Sequence, residues 1–412
     1  MASVPHAPSE YAKLWTLDPS VTFLNHGSFG ACPIPVLEAQ SEWRARLERE
    51  PIAFFVRDLE QLLDEARGAV AGFVGCDAGD LAFVPNATTG VNAVLASLAP
   101  TFAPGDEILF TNQGYGACAN ALAALAERTG VKIVVADVPF PLDGPDAVLD
   151  AVLAAATPRT KLALLDHITS PTGVIFPIAR LVAALAERGI DTLVDGAHGP
   201  GMLQLELDAL GAAYYAGNFH KWVCAPKGAA MLHVRRDRQA RIRPLVTSHG
   251  ASSHRQDRSR FRLEFDWTGT SDPTAVLCVP TALRVMGDLL PGGWPMLMAS
   301  NRALALAGRR LLAEEFDQPL PCPDDMIGAL AALPIPDGEL APPTATPYHD
   351  MLQEQLVTKH QIQVPIMPWP ARPKRLIRIA AQIYNTPEQY DYLAGALRTE
   401  LANEGKLDAT FG

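Results

Sequence analysis

Cysteine is sparse and unpaired in its spacing. The 412 residues hold six, Cys32, Cys76, Cys118, Cys224, Cys278 and Cys322, and no two form a CxxC pair. Zinc-finger spacing and a small disulfide framework are therefore both excluded, and no metal site is expected. Basic charge is also short. Lys and Arg number 34 against 45 Asp and Glu, a net charge of −11, which argues against nucleic acid as a partner. No run approaches the ~20 apolar residues of a membrane span. The opening MASVPHAPSE lacks the basic and apolar regions of a secretory signal, so a reduced, cytoplasmic protein is expected. Hydrophobic residues make up 48% and charged residues 19%, a globular balance that excludes a disordered chain.

What is present is an alternation of short apolar runs with Ala/Leu-rich stretches between about residues 60 and 235. LAFV (81–84), EILF (107–110), KIVVADV (132–138), TKLALLDHI (160–168), DTLVDGAH (191–198) and AAMLHV (229–234) read as strands. ALAALAERTG (121–130) and IARLVAALAERGI (178–190) have helical spacing, and a glycine stands at or near the end of each. Such alternation predicts an α/β fold with a mostly parallel, doubly wound sheet, whose ligands sit beyond the carboxyl ends of the strands. After about residue 290 the texture changes. A helical stretch (301–316) leads into a proline-rich region that reads as loops and short edge strands, with IGALAALPI (327–335) as a candidate strand. YHDMLQEQLVTKHQIQVPIM (348–367) and LIRIAA (376–381) then suggest a smaller α+β C-terminal domain. Nine arginines fall between 235 and 262 and read as a solvated loop or a dimer contact rather than an anion site.

Two strand ends carry the strongest chemical signal. DTLVDGAH delivers Asp195 at the end of an apolar strand, where an ionised carboxylate is costly without a purpose. Lys221, in YYAGNFHKW, follows another β-like run. As a pair they fit a surface lysine and a capping aspartate, and they fit equally well the lysine and pyridine-nitrogen partner that pyridoxal phosphate (PLP) requires. Asn86-Ala87-Thr88-Thr89-Gly90, between a strand and a helical stretch, is an N-cap and equally a phosphate cup. Tyr115 follows EILF and is either a turn tyrosine or a ring that stacks on the cofactor.

The motifs NAT, DHITSPTG, DGAH and GNFHKW, in this order, resemble the aminotransferase class V family of PLP enzymes. LNHGSFG near the N-terminus makes the resemblance strongest to the branch containing isopenicillin N epimerase, from Leu24 to about Asn385. The resemblance implies a fold-type I PLP-dependent transferase. An N-terminal segment (1–20) would pack on either domain, followed by a large PLP-binding domain (21–290) and a small C-terminal domain (291–412). It further implies Lys221 as the Schiff-base lysine and Asp195 as the partner of the pyridinium nitrogen. Tyr115 would stack on the ring, Ala87, Thr88 and His220 would hold the phosphate, and Ser170 and His198 would lie near the phenolic oxygen. Thr270, in WTGTSDP, would reach the phosphate of a neighbouring subunit, implying a homodimer with shared sites. Arg378 would bind the α-carboxylate of an amino-acid substrate, with Asn25 and His26 on the same substrate side. A guanidinium fork matches a carboxylate bidentately, which suits that role.

One departure is informative. Desulfurases of the family carry a nucleophilic cysteine shortly before the carboxylate arginine, and residues 359–377 contain none. The reaction expected is α-proton removal with epimerase-like or racemase-like outcome. C–S β-elimination from a cysteine conjugate or sulfoxide, or transamination, is the alternative, and His220, Tyr115 and His26 are candidates for a second acid–base group. A nicotinamide dehydrogenase lacks support because no GxGxxG follows the first strands. A PLP-fold regulator lacks room for a helix-turn-helix domain before LNHGSFG and would not be expected to be acidic.

Overall fold

Seven apolar runs with few polar interruptions pair into one sheet. We label them β1 (Leu81–Val84), β2 (Glu107–Thr111), β3 (Lys132–Ala136), β4 (Thr160–Asp166), β5 (Asp191–Asp195), β6 (Tyr214–Asn218) and β7 (Ala230–Val234). Their order is β1-β7-β6-β5-β4-β2-β3, and all are parallel except β7, which runs antiparallel to both its neighbours. This is a computed structural model, and it describes residues 7–406. The first six and last six residues, assigned above to the N-terminal segment and the C-terminal domain, lie outside the described residues.

Period-2 alternation divides the sheet into two buried layers. Ala163, Leu165 and Val194 join one apolar cluster, whereas Leu162, Leu164, Leu193 and Ala216 join the other. The second layer is roofed by helices Ala87–Leu98 and Gly116–Thr129. Burial on both faces is why these strands read as unbroken apolar runs. It makes an acid costly in mid-strand, and Asp166, Asp195 and the polar Asn218 all stand at strand ends.

A second sheet has β8 (Leu330–Ile335), β9 (Ile366–Pro368) and β10 (Arg375–Ala380) in the antiparallel order β9-β10-β8. Pro334 sits in β8, an edge strand, where its missing N–H costs no ladder bond. Helix Gly293–Glu315 starts eight residues earlier than its periodicity suggests, and it packs against β8 and helix Pro387–Asn403. The N-terminal segment joins this C-terminal part. Thr22–Phe23 pairs in parallel with Ile362–Gln363, and Ser9 bonds the carbonyls of Ile383 and Tyr384. No helix among the described residues is long and apolar enough to cross a membrane.

The arginines of 235–262 are largely matched by carboxylates. Arg238 pairs with Asp191 at 2.7 Å, Arg258 with Asp64 at 2.7 Å and Arg243 with Glu264 at 3.2 Å. They tie this segment to the protein's own surface.

Arg375 at the start of β10 is 3% exposed, and its guanidinium bonds Asp350 at 2.7 Å, Pro336 carbonyl at 2.8 Å and Glu404. Removing it leaves Asp350, itself 4% exposed, as a buried charge without its cation. Arg375→Ala should therefore lower unfolding stability by roughly 3–5 kcal/mol. Urea denaturation checks this; a loss below about 1 kcal/mol would show that the pair contributes little.

Candidate active site

The carboxyl ends of β4, β5 and β6 bring Asp166, Asp195 and Asn218 together. Each is an even number of residues from a member of the same apolar layer, so all three project to one face, beneath the two roofing helices. They line a cavity of about 260 Å³ together with Thr88, Tyr115, Ser170, His198, His220 and Lys221. Asp195 accepts from the Ala197 N–H at 3.0 Å and from the Cys118 thiol at 3.2 Å. Asn218 Oδ1 accepts from the Ala87 N–H at 2.8 Å, tying β6 to the first turn of helix Ala87–Leu98.

Lys221 follows β6 on a tight turn, closed by the Cys224 N–H on the Lys221 carbonyl at 3.0 Å, with Cys224 at φ +60°. That conformation is uncommon outside glycine and fixes how the lysine leaves the backbone. Burial, and the Arg378 charge, lower the Lys221 amine to a pKa of about 8. Its Nζ lies 3.1 Å from His198 Nε2. On the far side of that ring, the Trp222 indole N–H donates to His198 Nδ1 at 3.2 Å. An indole nitrogen can only donate, so Nδ1 is the accepting atom and the imidazole proton sits on Nε2. Nε2–H therefore points at Nζ, which must offer a lone pair. Burial keeps His198 neutral, far below its usual pKa. Trp222 and His198 together favour the free-amine form of Lys221.

The N-terminal motif LNHGSFG closes this loop from behind. Gly30, at φ +68°, lies so close to the His220 carbonyl that a Cβ would stand 1.9 Å from its oxygen. His26 bonds the Tyr384 hydroxyl through Nδ1 at 2.7 Å and the Lys221 carbonyl through Nε2 at 3.0 Å. His26 thus supports the lysine backbone and does not line the cavity. Burial pushes its pKa down to about 3.

At the other end, Arg378 of β10 is 4% exposed. It donates to the Ser170 carbonyl and Oγ and, at 3.1 Å, to Ser28 Oγ, while its Nε has no partner. Ser28 in turn donates to Asn25 at 2.6 Å, so Asn25 acts on the arginine through that hydroxyl. Among the described residues no carboxylate pairs with Arg378, and burial lowers its pKa to about 10. A buried guanidinium with a spare N–H and no anion is built to receive one.

The structure thus gathers Ala87, Thr88, Tyr115, Ser170, Asp195, His198, His220 and Lys221 around one cavity. Arg378 and Asn25 reach it through Ser170 and Ser28. Thr270 is exposed on a separate loop and does not line it. The Ala87 N–H, expected at the phosphate, is taken by Asn218; the Asn86 side chain takes the Thr89 N–H at 2.8 Å. Thr88 is left as the first-turn N–H with no partner among the described residues. Sequence reasoning missed Asp166, Asn218, Ser28 and Trp222, although all four lie inside the motifs it singled out. No cysteine lines the cavity; Cys32 is pushed up to about 12 by burial and Cys224 higher still.

These residues fit PLP. A free helix N-terminal N–H suits its phosphate, a buried carboxylate pair its ring nitrogen, a lone-pair amine its aldehyde carbon, and an unanswered arginine the carboxylate of its substrate.

Comparison with known proteins agrees. The family model described as aminotransferase class-V matches residues 35–286. An isopenicillin N epimerase of Amycolatopsis lactamdurans is 35% identical over 395 residues, covering 93% of this chain and 96% of its own. A probable L-cysteine desulfhydrase of Arabidopsis thaliana is 28% identical over 401 residues, covering 92% and 83%. Among solved structures, the cystine C–S lyase C-DES superposes with a TM-score of 0.76 at 23% identity, covering 92% and 97%. The fold is that of fold-type I PLP enzymes.

Trp222→Phe removes the donor that fixes His198. Nε2 can then accept from a charged lysine, so the pKa of Lys221 should rise by about one to two pH units, equivalent to roughly 1.5–3 kcal/mol. The pH dependence of cofactor attachment to the stripped protein, which requires the free amine, should move to higher pH. An unmoved profile would show that Trp222 does not set the lysine's charge.

Proposed function

The chain belongs to the aminotransferase class-V family of PLP-dependent enzymes, and we propose that it takes the α-proton from an amino acid and returns it with inverted configuration. The observation that supports this most is the pairing of the Lys221 amine in the cavity with Arg378 just behind the cavity-lining Ser28 and Ser170. Relatedness to isopenicillin N epimerases over nearly the whole chain supports the same direction.

Arg378, steadied by Ser28 and Ser170, grips the substrate carboxylate and so sets which bond at the α-carbon faces Lys221. The neutral Lys221 amine accepts the α-proton once its single lone pair turns from the His198 Nε2–H to the substrate. The cofactor supplies the electron sink for the pair left at the α-carbon, with Asp195 facing its ring nitrogen. Returning a proton to the opposite face needs a second donor. His26 has both ring nitrogens engaged behind the lysine, and His220 is held to the Ala229 carbonyl with its pKa lowered to about 4. Tyr115, 44% exposed on the cavity wall, is the remaining candidate of the three and is open to solvent protons.

A second reading is β-elimination of a sulfur group, supported by the desulfhydrase relatives. Persulfide transfer is disfavoured, because Cys118, though near the site, spends its thiol on Asp195 with its pKa raised by burial. A homodimer also fits. Ile52 and Val56 are 78% and 76% exposed, and Phe55 beside them packs on Trp267 in the loop that carries Thr270.

Incubating the loaded enzyme with amino acids and cysteine derivatives in heavy water tests the reaction. Deuterium at the α-carbon with inverted configuration is expected; pyruvate and ammonia with a sulfur fragment would make it a lyase instead. Arg378→Ala should weaken amino-acid binding by about 2–5 kcal/mol with little change in cofactor affinity. An unchanged substrate dissociation constant would remove Arg378 from the carboxylate site.

A further inference from the structure

Asp166 is the second acid on the cavity floor, and the reaction as described makes no use of it. It ends β4 where Asp195 ends β5, and the two are direct partners in the parallel register. Both project to the layer of Leu164 and Leu193, so their side chains stand about one strand spacing apart, roughly 5 Å. Asp166 is 3% exposed and Asp195 6%, and both line the cavity. The groups facing Asp166 are the Asp195 carboxylate on the neighbouring strand, the Tyr115 backbone N–H before helix Gly116–Thr129, and the Lys221 amine after β6. Cys118 on that helix faces both acids.

Two like charges this close and this buried are not both ionised without a matching pair of cations, so the couple retains a proton. Both acids accept hydrogen bonds, Asp195 from the Ala197 N–H and the Cys118 thiol, and Asp166 from the backbone N–H groups of Tyr115 and of Asp166 itself. Burial outweighs these bonds at Asp166, the less exposed of the two. Burial and the neighbouring Asp195 charge hold the Asp166 carboxyl well above the usual carboxylate range.

We propose that Asp166 is a neutral carboxylic acid that forms a proton-sharing couple with the Asp195 carboxylate and so holds the floor of the cofactor site at a single negative charge. That charge matches the single positive charge of a protonated ring nitrogen. Loss of the Asp166 proton at alkaline pH would place two negative charges there and set an upper pH limit on the site. Asp166 acts through Asp195 and is a positioning residue.

The proposal rests on the PLP reading, but one readout does not. In the cofactor-free protein, Asp166 keeps a proton that the unfolded chain releases above about pH 4, so its contribution to stability declines as pH rises toward its folded pKa. Asp166→Asn keeps the shape without the titration. The unfolding temperature of the Asn variant, measured against wild type from pH 5 to 9 (chosen to bracket neutrality), should gain steadily on wild type as pH rises. In the loaded protein, the alkaline step in the cofactor's visible absorbance should be present in wild type and missing in Asp166→Asn. Asp166→Ser, which also lacks the acid, should lose the same step if the Asn variant folds poorly. Parallel pH profiles for wild type and both variants, in stability and in absorbance, would overturn the proposal. If no cofactor binds, the stability comparison still decides it.

Discussion

Enclosing the Lys221 amine removes its hydration, and no carboxylate touches it to compensate. The consequence is a lysine whose pKa falls to about 8, so that the neutral form is far more populated near physiological pH than for a solvated lysine, and the surrounding contacts favour that form. Trp222 fixes the tautomer of His198, His198 donates to Nζ, and the turn at Cys224 together with His26 holds the backbone from which the side chain extends. A charged ammonium would turn the His198 contact from donor–acceptor into donor–donor. The hydrogen-bond pattern is therefore itself a statement about protonation.

The cavity is electrically polarised along its length. Arg378 stands behind Ser28 and Ser170 at one end and, among the described residues, pairs with no carboxylate, and the Asp166–Asp195 pair stands at the cavity floor without an ion-pair partner among them. Neither arrangement is economical for an empty protein, because buried unmatched charge destabilises the fold. Both become favourable when a molecule with a carboxylate at one end and a protonated ring nitrogen at the other spans the gap. Strand geometry makes this possible. The sheet places Asp166 and Asp195 side by side at its carboxyl edge, and β10 of the second sheet carries the arginine.

The site is also where distant parts of the chain are joined. Gly30 packs on the lysine loop, Ser28 and Asn25 brace Arg378, and Thr22–Phe23 pairs with Ile362–Gln363. The N-terminal motif thus links the strand-end loop to the second sheet. A side chain at Gly30 would push directly on the backbone that carries Lys221.

The sequence by itself determined the class of fold and the PLP family. Strands buried on both faces leave continuous apolar runs, and a lysine and an aspartate at the ends of such runs stand out because solvation makes them costly there. Lys221 and Asp195 stood out for that reason, whereas Arg378 entered only through the resemblance to the family. Asp166 did not stand out, although DHITSPTG displays it, because only the strand register shows that it lies beside Asp195 on the same face. Trp222 was not singled out, because only the folded loop turns its N–H onto His198. His26 read as a substrate residue, and packing placed it behind the lysine instead. Linear spacing encodes period and burial, whereas hydrogen-bond partners 24 to 358 residues apart are fixed by how elements pack. The tertiary structure alone decided which polar groups meet, and therefore which of them carry a proton.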